Sequence, residues 1–480
     1  MLSLNLRSFS FESVVLLCAA AVLLVGVAIQ YPLSISFPIG GDAVSYVTNA
    51  RAILNAVNHP AGLISTFKGT WYPLSLITFL PTRLLPVSWP QRFIWWMVLG
   101  QVLVGAAIAR FVWRLAGPYA AALAVVGWAV TAVGVNTHFE DGTLAQLWSL
   151  IYVVLFFDSL YAKRYGTTLI FFVLALLGHP ISGVVVFLSL VFALPVLWWQ
   201  RHTLSPQAQR FLKISTGAAA IILLAGAVLL TIRLPSLTSL GSDTHFVDLA
   251  DLLHSTAGPF LVLAPLGIML IGQHSRANRV FWVTWLSFIT TCLLLALNNW
   301  LGIGLQTFRF QTYLIFIAVS AGGIGAAYVI PRVFSGRTTP VIFSLVLFLA
   351  LSVFAAARGH SVFSYYAYLP NYGTLLPDEQ AAFIWLDHHL PPNSTVYSTI
   401  ANRNTEWIPA LTSLRWLGEP NTLSLFNAID RERAPGVSQY LIFLKHREKA
   451  EEILDSGNRG PVSRYPTVFE NKAVLVIKVS

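Results

Sequence analysis

The 480 residues are 56% hydrophobic and only 10% charged, against about 25% charged in soluble globular domains, so the composition excludes a soluble globular protein and points to a polytopic membrane protein. The net charge of +10 lies entirely before residue 358, because residues 358–480 hold twelve basic and twelve acidic residues. A basic excess confined to apolar territory reads as membrane topology and excludes nucleic acid as the implied partner.

Apolar runs long enough to cross a bilayer, about 17–25 residues, recur near 13–30, 93–115, 119–135, 143–161, 183–200, 214–233, 258–272, 280–297, 309–330 and 340–357. A shorter run, 167–177, ends at Gly178-His179-Pro180 and makes eleven. No small-residue cleavage site follows the first run, so it is expected to stay as a span rather than leave as a signal peptide. The two cysteines, Cys18 and Cys292, both fall in apolar runs and offer neither a disulfide framework nor a cysteine metal site.

Lys and Arg should collect in alternate short loops on the cytoplasmic side. Arg7, Arg110, Arg114, Lys163, Arg164, Arg201, Arg210, Lys213, Arg276, Arg279, Arg332 and Arg337 do so, while loops 136–142, 178–182, 234–256 and 298–308 hold none. Eleven crossings therefore predict a cytoplasmic N-terminus and an extracytoplasmic tail. Without a span at 167–177, every later loop would invert against this bias.

The fold predicted is an α-helical membrane module over 1–357 and a small extracytoplasmic α/β domain over 358–480. Within the module, residues 31–92 form a long first outer loop with surface helices near 43–57 and 73–85, the first from the spacing of Ala43, Val44, Val47, Ala50, Ile53, Leu54 and Val57. The tail predicts helices near 379–389 and 446–455 and strands at 395–399, 440–444 and 473–479.

Eight acids precede residue 358, and topology places six of them on the outer side. The positive-inside rule is nearly blind to acids, so their clustering there points to an outward-facing active site. Asp42, in Gly40-Gly41-Asp42-Ala43, either acts chemically at the mouth of the bundle or caps the helix that starts beside it. Glu140 and Asp141, in Asn136-Thr137-His138-Phe139-Glu140-Asp141-Gly142, are fit to orient a nucleophile or hold a divalent cation, or else cap the next helix. His179 either donates to a phosphate or satisfies backbone groups freed by Pro180. Asp243, His245, Asp248, Asp251 and His254 read as a metal cluster or as a solvated helix face. Arg309 is a cation on the side that otherwise lacks them, which suits a phosphate partner or snorkelling to headgroups; Arg51 and Lys68 are secondary candidates for the same role.

The segment from Gly41-Asp42 through Tyr46 to Ala50-Arg51, followed by Trp71-Tyr72-Pro73-Leu74, resembles the GT-C superfamily of polyprenyl-phosphate-sugar-dependent membrane glycosyltransferases. The tail resembles their outer domains at Trp385-Leu386 and Val468-Phe469-Glu470-Asn471. The resemblance implies Asp42 as the catalytic acid, Glu140 and Asp141 as the second acidic site, and Arg309 as a contact to the lipid phosphate. Apart from the resemblance, His179, Lys68, Arg51, Tyr72 and His138 are expected as lipid-phosphate or substrate-binding residues. Many members pair acids in the first loop, whereas Asp42 stands between Gly41 and Ala43, which argues against a metal at that loop. No cofactor is specifically implied, and a divalent cation stays open.

The expected activity is therefore inverting transfer of a sugar from a polyprenyl-phosphate-linked donor to a hydroxyl on a glycan, lipid or protein acceptor, with Asp42 as general base. The alternatives are a transporter or flippase of a lipid-linked saccharide, which would need ionisable residues near mid-membrane, and a lipid-linked glycan ligase using an outer Arg/His site.

Overall fold

The computed structural model describes residues 11–34, 38, 41–56, 73–130, 144–237, 258–275, 277–298, 308–334, 340–350, 353, 375–392, 394–399, 405, 407–419, 429, 437–445 and 464–479. The helices run in order α1 (Phe11–Ser34), α2 (Gly41–Ala56), α3 (Pro73–Phe79), α4 (Trp89–Ala116), α5 (Pro118–Val130), α6 (Leu144–Tyr161) and α7 (Tyr165–Gly178). Then follow α8 (Pro180–Trp199), α9 (Pro206–Leu237), α10 (Gly258–Ser275), α11 (Arg279–Ala296), α12 (Phe308–Val333) and α13 (Pro340–Ala350). A helix falls on each apolar run expected from the sequence, and α2 and α3 fall on the two expected surface helices.

Among the described residues, five helices are long and apolar enough to cross a membrane, namely Phe11–Ile29 of α1, α4, α8, α11 and Phe310–Val333 of α12, while the apolar stretches of α5, α6, α7, α10 and α13 are shorter. The chain is an integral membrane protein. Side chains such as Ile170, Phe192, Ile221 and Val262 are exposed on outer faces, as lipid contact requires. Local signals set the breaks. Pro90 opens α4, where the Ser88 amide donates to Gln91 Oε1 at 3.4 Å. Gly117, at φ 92°, closes it with an amide bond to the Trp113 carbonyl, and Pro118 starts the next helix.

Small residues hold the bundle's centre. A Cβ on Gly267 would lie 1.8 Å from the Ala321 carbonyl oxygen, one on Gly322 2.2 Å from that of Phe260, and one on Gly323 2.8 Å from the Ala124 amide nitrogen. Helices α10 and α5 thus meet α12 backbone to backbone. In lipid no hydrophobic force drives helices together, so close approach through small residues and dispersion do. Alongside, Phe157 lies 4.6 Å from Phe288 and 5.0 Å from Trp285, ring centre to ring centre, filling the space between α6 and α11. At one end of the bundle the buried Asp158 accepts from Arg110 Nε and Arg114 Nη1, both at 3.0 Å. An unpaired carboxylate there would be costly.

The tail holds α14 (Pro377–His389), β1 (Thr395–Thr399), α15 (Ile408–Leu411), β2 (Arg415–Glu419), β3 (Gln439–Leu444), β4 (Thr467–Glu470) and β5 (Val474–Lys478). Its sheet has the order β2-β1-β3-β5-β4, with β1 parallel to β2 and β3, and β5 antiparallel to β3 and β4. Strand β3 is buried throughout because it is central and covered on both faces: Tyr440, Ile442 and Leu444 join one core, Leu441 and Phe443 the other. The expected helix at 379–389 and three strands are present. The strands β2 and β4 were not expected, since Arg415-Trp416-Leu417-Gly418-Glu419 has a weak strand pattern and Thr467–Glu470 is a four-residue edge. The helix expected near 446–455 lies outside the described residues.

Candidate functional site

Asp42 is the second residue of α2, and Tyr46 stands four residues on in the same helix. Tyr46 is buried, and its hydroxyl accepts the Ala145 amide of α6 at 2.9 Å. Its ring lies 5.7 Å from that of Phe93, which in turn meets Phe79 edge-on at 6.1 Å. The start of α2 is thereby fastened to the start of α6, the helix that leaves the segment carrying Glu140 and Asp141.

The α7–α8 junction is fastened to the same end. Ser75 of α3 donates to the Gly178 carbonyl at 3.0 Å, and Ser149 of α6 donates to that of Ala175 at 2.7 Å. Gly178 packs closely here, since a Cβ on it would lie 3.1 Å from the Ser149 side chain. His179 is buried and extended at φ −160°, ending α7 with its amide on the Ala175 carbonyl and opening α8 through its own carbonyl, which accepts from Gly183 at 3.1 Å. Its backbone thus serves both helix ends beside Pro180.

Three residues into α8, Ser182 bonds the Tyr313 hydroxyl of α12 at 2.5 Å. Tyr313 follows Arg309, the second residue of α12, by four, so Arg309 stands to Tyr313 as Asp42 does to Tyr46. Asp42, the exit of the Glu140-Asp141 segment, His179 and Arg309 are therefore carried on helix starts that buried hydroxyls tie to one another at one end of the bundle.

The Arg51 guanidinium donates through Nη1 to the carbonyls of Pro409 (3.4 Å) and Ala410, clasping α2 to α15 of the tail. Burial lowers its pKa, opposed by the field of the Asp387 carboxylate. Lys68, Tyr72, His138, Glu140, Asp141 and the cluster from Asp243 to His254 lie outside the described residues.

Among the described residues no three His, Cys, Asp or Glu side chains group as metal ligands. The residues that sequence reasoning missed are Ser75, Ser182 and Tyr313, with Tyr46 quoted but given no task. Their one sequence signal is a hydroxyl one helical turn from a suspected site residue inside an apolar run.

No family model and no curated protein matches the sequence. Solved structures do match in fold. ArnT from Cupriavidus metallidurans bound to undecaprenyl phosphate aligns over 97% of this chain and 97% of its own, at 12% identity and a TM-score of 0.60. The Archaeoglobus fulgidus oligosaccharyltransferase tethered to an acceptor peptide aligns over 98% of this chain and 74% of its own, at 13% identity and 0.56. The same enzyme in complex with Zn and sulfate aligns over 89% and 67%, at 14% and 0.52. The chain thus has the fold of the GT-C glycosyltransferases.

Proposed function

We propose that this protein transfers a sugar from a polyprenyl-phosphate-linked donor to a hydroxyl acceptor at the outer membrane face, with inversion at the anomeric carbon. One observation carries the reading: the helix starts that bear Asp42 and Arg309 and the buried His179 are tied to one end of the bundle through Tyr46–Ala145, Ser75–Gly178 and Ser182–Tyr313. Covalent connectivity adds Asp141, whose Cα lies four residues, at most about 14 Å, from that of Ala145. A lipid donor and a hydroxyl- or amide-bearing acceptor are in keeping with the undecaprenyl phosphate held by ArnT and the peptide held by the oligosaccharyltransferase.

In this mechanism Asp42 takes the proton of the acceptor hydroxyl as its oxygen bonds to the anomeric carbon. The bond from that carbon to the phosphate oxygen breaks, and its electron pair leaves on the lipid phosphate. Arg309 offsets the charge that gathers there. Glu140 and Asp141 orient the acceptor, and His179 donates to the phosphate. Lys68, Tyr72 and His138 contact the substrate. The alternation of Lys/Arg-bearing and Lys/Arg-free loops, which predicts eleven crossings, supports an outward-facing site, away from cytoplasmic nucleotide sugars, with the tail from 358 forming an outer domain beside the acceptor.

The test is Asp42→Asn in purified protein supplied with a lipid-linked sugar. Loss of a general base should lower kcat by about 10²- to 10⁴-fold with folding retained. Undiminished turnover would remove Asp42 from the chemistry.

A further inference from the structure

We propose that the opposite end of the bundle carries a second, non-catalytic site for a phosphate group, occupied by an anionic phospholipid of the other leaflet. A cavity of about 400 Å³ opens there where α7 and α9 begin, lined among others by Lys163, Arg164 and Arg210. Helix α6 runs 18 residues from the Tyr46 contact to the turn before this cavity, about 27 Å at 1.5 Å per residue, the thickness of a hydrocarbon core. The cavity is thus at headgroup depth on the face away from Asp42.

Its charge is available for a ligand. Among the described residues Arg110 and Arg114 are held by Asp158, whereas Lys163, Arg164 and Arg210 have no acidic partner and are exposed. No acid lines the cavity. Three uncompensated cations around one concavity would repel one another unless an anion lies between them. The turn that presents two of them is fixed by Ala162, Lys163 and Arg164 amides bonding back to Asp158, Leu160 and Ser159, with Lys163 held at φ 58°.

The rest of the cavity suits a lipid rather than a soluble phosphate. Its wall is the stacked pair Tyr165 and Phe211, 5.0 Å apart at 27°. From the cations, exposed apolar residues lead away into the membrane along both helices, Ile170 and Val173 on α7, Ile214 and Ile221 on α9. A headgroup phosphate between Arg164 and Arg210 would leave its acyl chains along these two tracks, and basic pockets between helix ends recognise anionic lipids in this way.

The experiment titrates the full-length protein in neutral detergent with dioctanoyl phosphatidylglycerol and follows its thermal unfolding. The melting temperature should rise with phosphatidylglycerol and not with dioctanoyl phosphatidylcholine or inorganic phosphate at equal concentration. Arg164→Gln combined with Arg210→Gln should weaken the apparent affinity at least tenfold, while Arg201→Gln, on the same face but outside the cavity lining, should leave it unchanged. Stabilisation by inorganic phosphate alone, equal stabilisation by phosphatidylcholine, or an equal loss in Arg201→Gln would overturn the proposal. Sugar transfer plays no part in this readout, so the site stands or falls separately from the catalytic reading.

Discussion

Tyr46→Phe isolates one atom of the outer end. Tyr46 is 2% exposed and its hydroxyl accepts the Ala145 amide at 2.9 Å, while its ring rests 5.7 Å from Phe93. Phenylalanine keeps the ring contact and removes the hydroxyl that accepts the Ala145 amide. A buried amide left without its partner costs about 1–3 kcal/mol. If that energy holds the start of α2 in its productive pose, its loss lowers kcat/KM by about 5- to 150-fold. The assay is steady-state transfer from a lipid-linked donor, run beside thermal unfolding. Tyr119→Phe is the matched control, since it removes a hydroxyl that bonds Ser344 at 2.9 Å at the other end of the bundle. The expected result is a fall in kcat for Tyr46→Phe and a stability loss alone for Tyr119→Phe. Turnover within twofold of the parent in a folded Tyr46→Phe protein, or an equal fall in Tyr119→Phe, would refute the idea that this bond positions α2.

Gly322→Ala places a methyl 2.2 Å from the Phe260 carbonyl oxygen, so α10 must move off α12. Overpacking of this kind costs about 1–3 kcal/mol or more, read as a lowered midpoint in detergent unfolding, and Gly26→Ala, with nothing within 4 Å, should cost none of it. Asp158→Asn leaves Arg110 and Arg114 without their carboxylate; because both guanidiniums are partly exposed, the cost should be nearer about 1–2 kcal/mol than the roughly 3–5 of a fully buried pair. Thermal unfolding at low and high salt measures it. Arg51→Gln removes the clasp on the Pro409 and Ala410 carbonyls, and faster amide exchange over Ile408–Leu411 should follow, with the transmembrane helices unchanged.

How far the chain could be read from its sequence varies with the kind of interaction. The run 167–177 is expected as a span because Lys163 and Arg164 on one side and the uncharged 178–182 loop on the other ask for one, and a 14-residue apolar helix, α7, occupies that run. Strands β1, β3 and β5 were legible from alternating β-branched and aromatic residues, whereas β2 and β4 owe their state to neighbours already in place. Arg51, a cation in an outer loop, suggests an anion as a partner, and nothing in its surroundings signals its bond to backbone of the tail, some 359 residues away, because carbonyls in a distant helix leave no mark on local composition.

Which segments are apolar enough for a membrane and which loops bear cations can be read from the sequence alone, because solvation in lipid is a property of each residue and its near neighbours. Which of those loops meet was decided by the tertiary structure. The contacts that join them, Tyr46 to Ala145, Ser75 to Gly178 and Ser182 to Tyr313, cross 99, 103 and 131 residues. Elsewhere in the bundle, glycines such as Gly267 and Gly322 let α10 and α12 approach. Hydropathy records depth in the bilayer, while neighbours within the bilayer are chosen by shape, which depends on both surfaces at once.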